Sequence, residues 1–249
     1  MAVHTQEGSL KVLAMIFEAR YDEGYRFLDH AGELLVRIKR HRPSWAVLSL
    51  AQKTVSLVHQ ELHLLANIGV EKIDVSVTER LGLLQADKQA RILGDAAEEF
   101  YNLALEVLKI PRTTRVGTRF AFLAPSDSLE EADRFMRRAA SSPMLDAVVE
   151  QTKSEAREGQ FVYVLDDLQS GHRRRVTLLS AVIEQKPEDP PFVGLPGDSG
   201  SGGVAVDLDT YTRPEEAHFA KVSMFVQENY GKSRSQARGL FTWLLSQQK

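Results

Sequence analysis

Between Asp87 and Ile110, the residues Ala90, Leu93, Ala97, Phe100, Leu103, Ala104, Val107 and Leu108 recur at three- and four-residue spacings, and Pro111 closes the run. This spacing predicts one long amphipathic helix. A helix of that length carries an apolar stripe that has to be buried against a broad partner, either a sheet or other helices. The rest of the chain offers strands.

Lys11 to Tyr21 alternates Ile16, Glu18 and Arg20 against Phe17, Ala19 and Tyr21, the pattern of a half-buried strand. After Asp22, Phe27, Ala31, Leu34, Leu35 and Ile38 mark a helix that turns basic at Lys39, Arg40 and Arg42 before Pro43. From Trp45 to Glu79 the runs WAVLSL, KTVSLVHQEL and EKIDVSVTE predict a meander with turns at Ala51 to Gln52 and Asn67 to Gly69. The middle run also fits a helical stripe through Val55, Val58, Leu62 and Leu65. Thr114 to Leu123 sets Val116, Thr118, Phe120 and Phe122 on one face and Arg115, Gly117, Arg119 and Ala121 on the other. Ser128 with Glu131 resembles a capping box, and Ser142-Pro143 opens a second short helix. FVYVLDD and RRRVTLLSAVIEQ predict a hairpin around Ser170-Gly171. Lys186 to Gly203 reads as a loop and VAVDLDTY as a strand; after Pro214 come two helical stretches parted at Gly231.

This order lacks the βαβα alternation of a doubly wound parallel sheet. It predicts an α+β fold in which a mostly antiparallel sheet, or two, packs against long helices. The expected organisation is one compact unit over residues 1–249, with 1–124 and 125–249 as possible similar halves, since each can be written as strands followed by a long helix.

Composition narrows the function classes. Against 34 Asp and Glu stand 31 Lys and Arg, and a net charge of −3 exerts no overall pull on nucleic acid or anionic lipid. The chain has no cysteine, which removes disulfides, thiolate catalysis and thiolate metal sites and suits a reducing compartment. The opening MAVHTQEGSLKV lacks a basic segment followed by an apolar core, and no run approaches the roughly 18 apolar residues of a membrane span. A cytoplasmic protein with no membrane partner is expected.

Four patterns could carry chemistry. Gly197-Asp198-Ser199-Gly200-Ser201-Gly202-Gly203 resembles the string around the serine of trypsin-like proteases. Those enzymes are built from β-barrels, however, and long helices precede the string here, so it reads as a glycine-rich loop. His59 and His63 have zincin-like spacing with Glu61 out of place. On one strand they would stand about 13 Å apart, so a solvated pair is expected. Asp166-Asp167, and above all Asp207 and Asp209 on one strand face, are the candidates for metal binding or acid–base work. Basic clusters at Arg37 to Arg42, Arg173 to Arg175 and Lys232 to Arg238 could hold phosphate or RNA if they met.

Two strands carry a family resemblance. Thr114-Arg115-Val116-Gly117-Thr118-Arg119-Phe120 resembles an R-[IV]-G-x-R-[YF] strand, and Val206-Asp207-Leu208-Asp209-Thr210-Tyr211 an LDIDVF-type strand, of a sporadically distributed bacterial family of uncharacterised proteins. Ala14 to Arg20 and the aromatic-rich Phe219 to Phe241 are similar to that family's opening strand and closing helix. The resemblance implies a fold and no established activity.

With no catalytic constellation, the reading favours a non-enzymatic protein that binds another macromolecule, without cofactor or metal. Arg115, Arg119, Arg173, Arg174 and Arg175 are the expected binding residues. The face carrying the two arginines of the Thr114 to Leu123 strand should be lined by carboxylates or meet a partner, because buried guanidinium groups need partners. The C-terminal segment 218–245 carries more large apolar groups than one helix face needs, Trp243 among them, and is the expected interface with a second copy or another protein. The alternatives are a metal-dependent hydrolase or nuclease using Asp207 and Asp209, and an RNA- or phosphate-binding module.

Overall fold

The computed structural model describes residues 10–22, 24–79, 81–139, 150–151, 160–166, 172–182, 202–214 and 219–246. The expected α+β architecture is present, as one ten-stranded sheet in which every pair is antiparallel. Its strands are β1 Lys11–Tyr21, β2 Ala46–Ala51, β3 Thr54–His59, β4 Leu64–Gly69, β5 Lys72–Val77, β6 Leu81–Gly82, β7 Thr113–Pro125, β8 Gln160–Asp166, β9 Arg173–Val182 and β10 Gly202–Thr212. They lie in the order β2-β3-β4-β5-β1-β7-β10-β9-β8, and β6 pairs with β1. The helices are α1 Phe27–His41, α2 Leu83–Leu108, α3 Leu129–Ala139 and α4 Val222–Ser246.

The four helices α1 to α4 serve one face. Met15, Phe17 and Ala19 of β1 and Val116, Phe120 and Phe122 of β7 join one buried cluster with the stripe of α2 and with Phe225, Val226, Tyr230 and Phe241 of α4. Phe17 meets Tyr101 edge-on at 6.3 Å, and Phe120 meets Tyr230 at 5.4 Å. Period-two alternation therefore sends Glu18, Arg20, Arg115 and Arg119 to the opposite, open face. Ser128 caps α3 as its sequence requires, its Oγ accepting the Glu131 N–H at 3.2 Å.

The two halves share a wiring. In each, a long strand leads to a helix and then a meander, the last meander strand returns to pair with the first strand, and a long helix follows: β1-α1-β2-β3-β4-β5-α2, then β7-α3-β8-β9-β10-α4. β1 and β7 form the seam between them. The changeover falls before β7, not after it at 124/125. The two long helices cross where Gly94 of α2 meets Ser223, and a Cβ on that glycine would lie 2.9 Å from the Ser223 carbonyl oxygen.

Two elements differ from the sequence reading. The first meander has four strands, because residues 64–69, which include the expected turn at Asn67 to Gly69, form β4. The chain turns instead at 60–63, where His63 takes φ 51° and donates its N–H to the Gln60 carbonyl at 3.1 Å. That left-handed position carries none of the usual turn residues, so the turn left no signal. The C-terminal region is one helix running through Gly231, which faces open space. A glycine costs a helix only about 1 kcal/mol, less than the packing on either side of it supplies. The helix expected from Ser142-Pro143, the Ser170-Gly171 turn, Asp167 and Ser199 lie outside the described residues, whereas Gly202 and Gly203 open β10.

Candidate functional site: the open sheet face and its free edge

The open face is built from rows of charge that the register brings side by side. On β7, Arg115 and Arg119 flank Gly117; on β10, Asp207, Asp209 and Tyr211 point the same way. Arg119 grips Asp207 from two nitrogens, Nε donating to both Oδ1 and Oδ2 at 3.0 Å and Nη2 to Oδ2 at 2.7 Å. Arg115 reaches along the sheet to Asp209, donating from Nη2 to Oδ2 at 3.0 Å, and its guanidinium lies 4.1 Å above the Tyr211 ring. Gly117 makes that path possible, since a Cβ there would come within 3.0 Å of the Tyr211 side chain. Both arginines thus face carboxylates, as their strand pattern requires.

Burial pushes the Asp209 carboxyl above the usual carboxylate range, more than the charge of Arg115 brings it down. On β1, burial also pushes Glu18 up, but the hydrogen bond from Arg20 and the charge of Lys72 together outweigh it, and this carboxyl lies below its ordinary value. The row continues outward: Arg20 donates to Glu18 at 2.7 Å, Lys72 pairs with Asp74 at 2.8 Å, and the Asn67 amide donates to Asp74 at 2.6 Å.

The arginines of β9 divide between the faces. Arg173 lies on the open face and pairs with Asp166 at 2.7 Å. Arg175 shares that face and lines a notch of about 300 Å³ with Arg119, Thr177, Asp207 and Asp209. Arg174 points to the helix side, is buried, and donates from Nε to Thr210 Oγ1 at 3.0 Å. Consecutive residues on a strand alternate between its faces, so of these three expected binding residues only Arg173 and Arg175 share the open face. Asp207 and Asp209 are brought together, but each is engaged by a guanidinium. Among the described residues, no group of three or more histidines and carboxylates is placed to hold a metal ion.

The histidine pair is also redistributed. His59 ends β3 and is buried edge-on to Trp45 at 5.5 Å, not solvated, while His63 sits across the turn and pairs with Glu79 at 3.4 Å.

Among the described residues, β8 is the edge strand beyond β9, and it is apolar. Strand β8 exposes Val162 by 44%, Tyr163 by 53%, Val164 by 61% and Leu165 by 52%, so large side chains stand in water on both of its faces. Beside it, Phe161, Tyr163, Leu178, Leu240, Trp243 and Leu244 enclose an apolar groove of about 300 Å³ between β8, β9 and the last turns of α4. Trp243 is 52% exposed, so the expected apolar excess of the C-terminal helix does reach solvent. The contribution of β8 was hidden in the sequence, because a strand apolar on both faces reads like one buried on both. No helix among the described residues is long and apolar enough to cross a membrane. No family model matches the chain, and no curated protein matches it either.

Proposed function

We propose that the chain is a non-enzymatic protein-interaction protein whose partner docks at the β8 edge and the groove beside α4. One observation carries this reading: the last strand of the sheet presents large apolar side chains on both faces next to an apolar groove that holds a half-exposed tryptophan. Edge strands in water are ordinarily short, charged or covered, and β8 is charged only at Asp166. An extended partner segment can add main-chain hydrogen bonds to such an edge while its side chains enter the groove. At about 25 cal/mol per Å², covering a few hundred Å² of this surface is worth several kcal/mol. On the neighbouring open face, Arg173 and Arg175 supply charges that fix the register of a partner rather than its affinity. The absence of cysteine supports a reducing, cytoplasmic setting, and the β7 and β10 strings support membership of the sporadically distributed bacterial family they resemble.

A photo-cross-linking residue placed at Tyr163 or Trp243 in the host cell tests the reading. It should give one discrete adduct, of a second copy or another protein, that the same residue at Glu130 does not give and that Trp243→Asp removes from the Tyr163 probe. Adducts no different from those at Glu130 would overturn it. Light scattering of the purified chain at tens of micromolar then distinguishes a second copy from an outside partner.

A further inference from the structure

A second cavity lies in the other half, away from the β8 edge. It has a volume of about 610 Å³ and opens on the helix side, between α2 and the outer strands of the first meander. Its floor is Trp45, Leu62, Ile92 and Ala96. Trp45 is held upright between Phe100, edge-on at 4.7 Å, and His59.

His59 is only 8% exposed and forms part of the cavity wall. The Leu62 N–H donates to His59 Nδ1 at 3.3 Å, which leaves that nitrogen as the acceptor. The neutral ring then carries its proton on Nε2, which bonds to no described residue.

The rim is anionic. Asp95, Glu98 and Glu99 line it against a single cation, Arg42, which pairs with Glu99 at 2.5 Å. The other two carboxylates accept hydrogen bonds from neutral donors at the start of α4: Ser223 Oγ donates to Asp95 at 2.7 Å and the Ser223 N–H to Glu98 at 2.8 Å. Those bonds fix the carboxylates in place but leave their charge unbalanced.

We propose that this cavity binds a small organic amine with an apolar body and one hydrogen-bond acceptor. The ammonium sits against Asp95 and Glu98, the apolar body covers the floor, and the acceptor receives the His59 Nε2 proton. The size matches a small-molecule site, and the few polar groups converge on an apolar floor as such sites require.

Phenylalaninamide has these three features, and its N-acetyl derivative lacks only the positive charge. In a Trp243→Phe background Trp45 is the sole tryptophan, so its indole N–H resonance reports on the floor alone. Phenylalaninamide should shift that resonance saturably. The N-acetyl form should bind at least about tenfold more weakly. Asp95→Asn with Glu98→Gln should weaken phenylalaninamide by a similar factor while keeping acceptors for Ser223. No saturable shift up to about 10 mM, or equal affinity for the two probes, would overturn the proposal. Should the double variant fail to fold, the comparison of probes on the parent protein decides alone.

Discussion

In the first half, α2 lies over β1 and β5 and packs its stripe directly on its own sheet; in the second, α4 rests mainly on α2 and touches β7 and β10 with what remains. The same wiring therefore yields two kinds of helix cover, while both sheet edges stay exposed and apolar, β2 at Val47, Leu48 and Leu50 as well as β8. Helix α2 covers the strands next to the seam, and β4 to β1 carry a closed polar row on the open face, from Asn67 through Asp74 and Lys72 to Glu18 and Arg20. Helix α3 covers β10 and β9, and the leaning of α4 leaves β8 with thin cover and opens the groove at Trp243. A long helix that spends its apolar face on another helix cannot also cover a full sheet, and the uncovered strands become surface available to a partner.

The seam is where this contrast can be broken most severely. Phe120 is fully buried on β7, pairs across to Met15 of β1 and meets Tyr230 of α4, so it belongs to both halves. Phe120→Ala should cost about 3–5 kcal/mol in urea unfolding. It should also lower the midpoint of one common transition; two separated transitions would show that the halves unfold independently.

The helix crossing gives a smaller effect. Gly94→Ala forces a methyl to 2.9 Å from the Ser223 carbonyl and should cost about 1–3 kcal/mol, with Trp243 fluorescence changing as α4 shifts. Gly231→Ala, in open space on the same helix, should instead gain up to about 1 kcal/mol. Equal effects at the two sites would mean that α4 does not depend on α2.

The smallest effects sharpen the contrast between the open faces. Glu18 titrates below its ordinary value in the folded state, so its contribution is present above the unfolded-state value and is lost as pH falls through the folded one. Glu18→Gln should therefore destabilise at neutral pH, by under about 1 kcal/mol, and converge with the parent in acid. Asp209 titrates above its ordinary value, so the folded state keeps that proton longer and loses stability as pH rises through the raised value. Asp209→Asn should fare better against the parent at neutral pH than near pH 4 (roughly the ordinary aspartate range), the reverse slope. Parallel slopes from denaturant titrations across pH would remove the distinction.

Much of this architecture was legible because it is written locally. The α2 stripe, the alternation in β1 and β7 and the Ser128 cap each occupy a few neighbouring residues, and each formed as its pattern requires. That Arg115 and Arg119 would meet carboxylates or a partner was also legible from their place on one strand face, although Arg119 stays half exposed, so burial is not what pairs it. Which carboxylates they meet was not: Asp209 and Asp207 are supplied by a strand some 90 residues away, through a register set by the whole sheet. His59 shows the same limit. Its burial follows from where Trp45 and α2 come to lie, and neither is near it in a pattern of spacing. The missed turn at His63 has a local cause, a left-handed residue without a turn-forming side chain.

The seam also sets an order on biosynthesis. β1 finds β5 within its own half, but its other edge is completed only by β7, with Ile16 opposite Arg119. At about 5–20 residues per second, the hundred or so residues between them take roughly 5–20 s to emerge from the ribosome. During that interval the nascent chain presents, along the middle of its future sheet, an unsatisfied strand edge ending in Val12 to Phe17 and competent to pair with any neighbouring chain. Ribosome-bound chaperones acting before residue 125 is translated should therefore govern the yield of native protein more than any event after release.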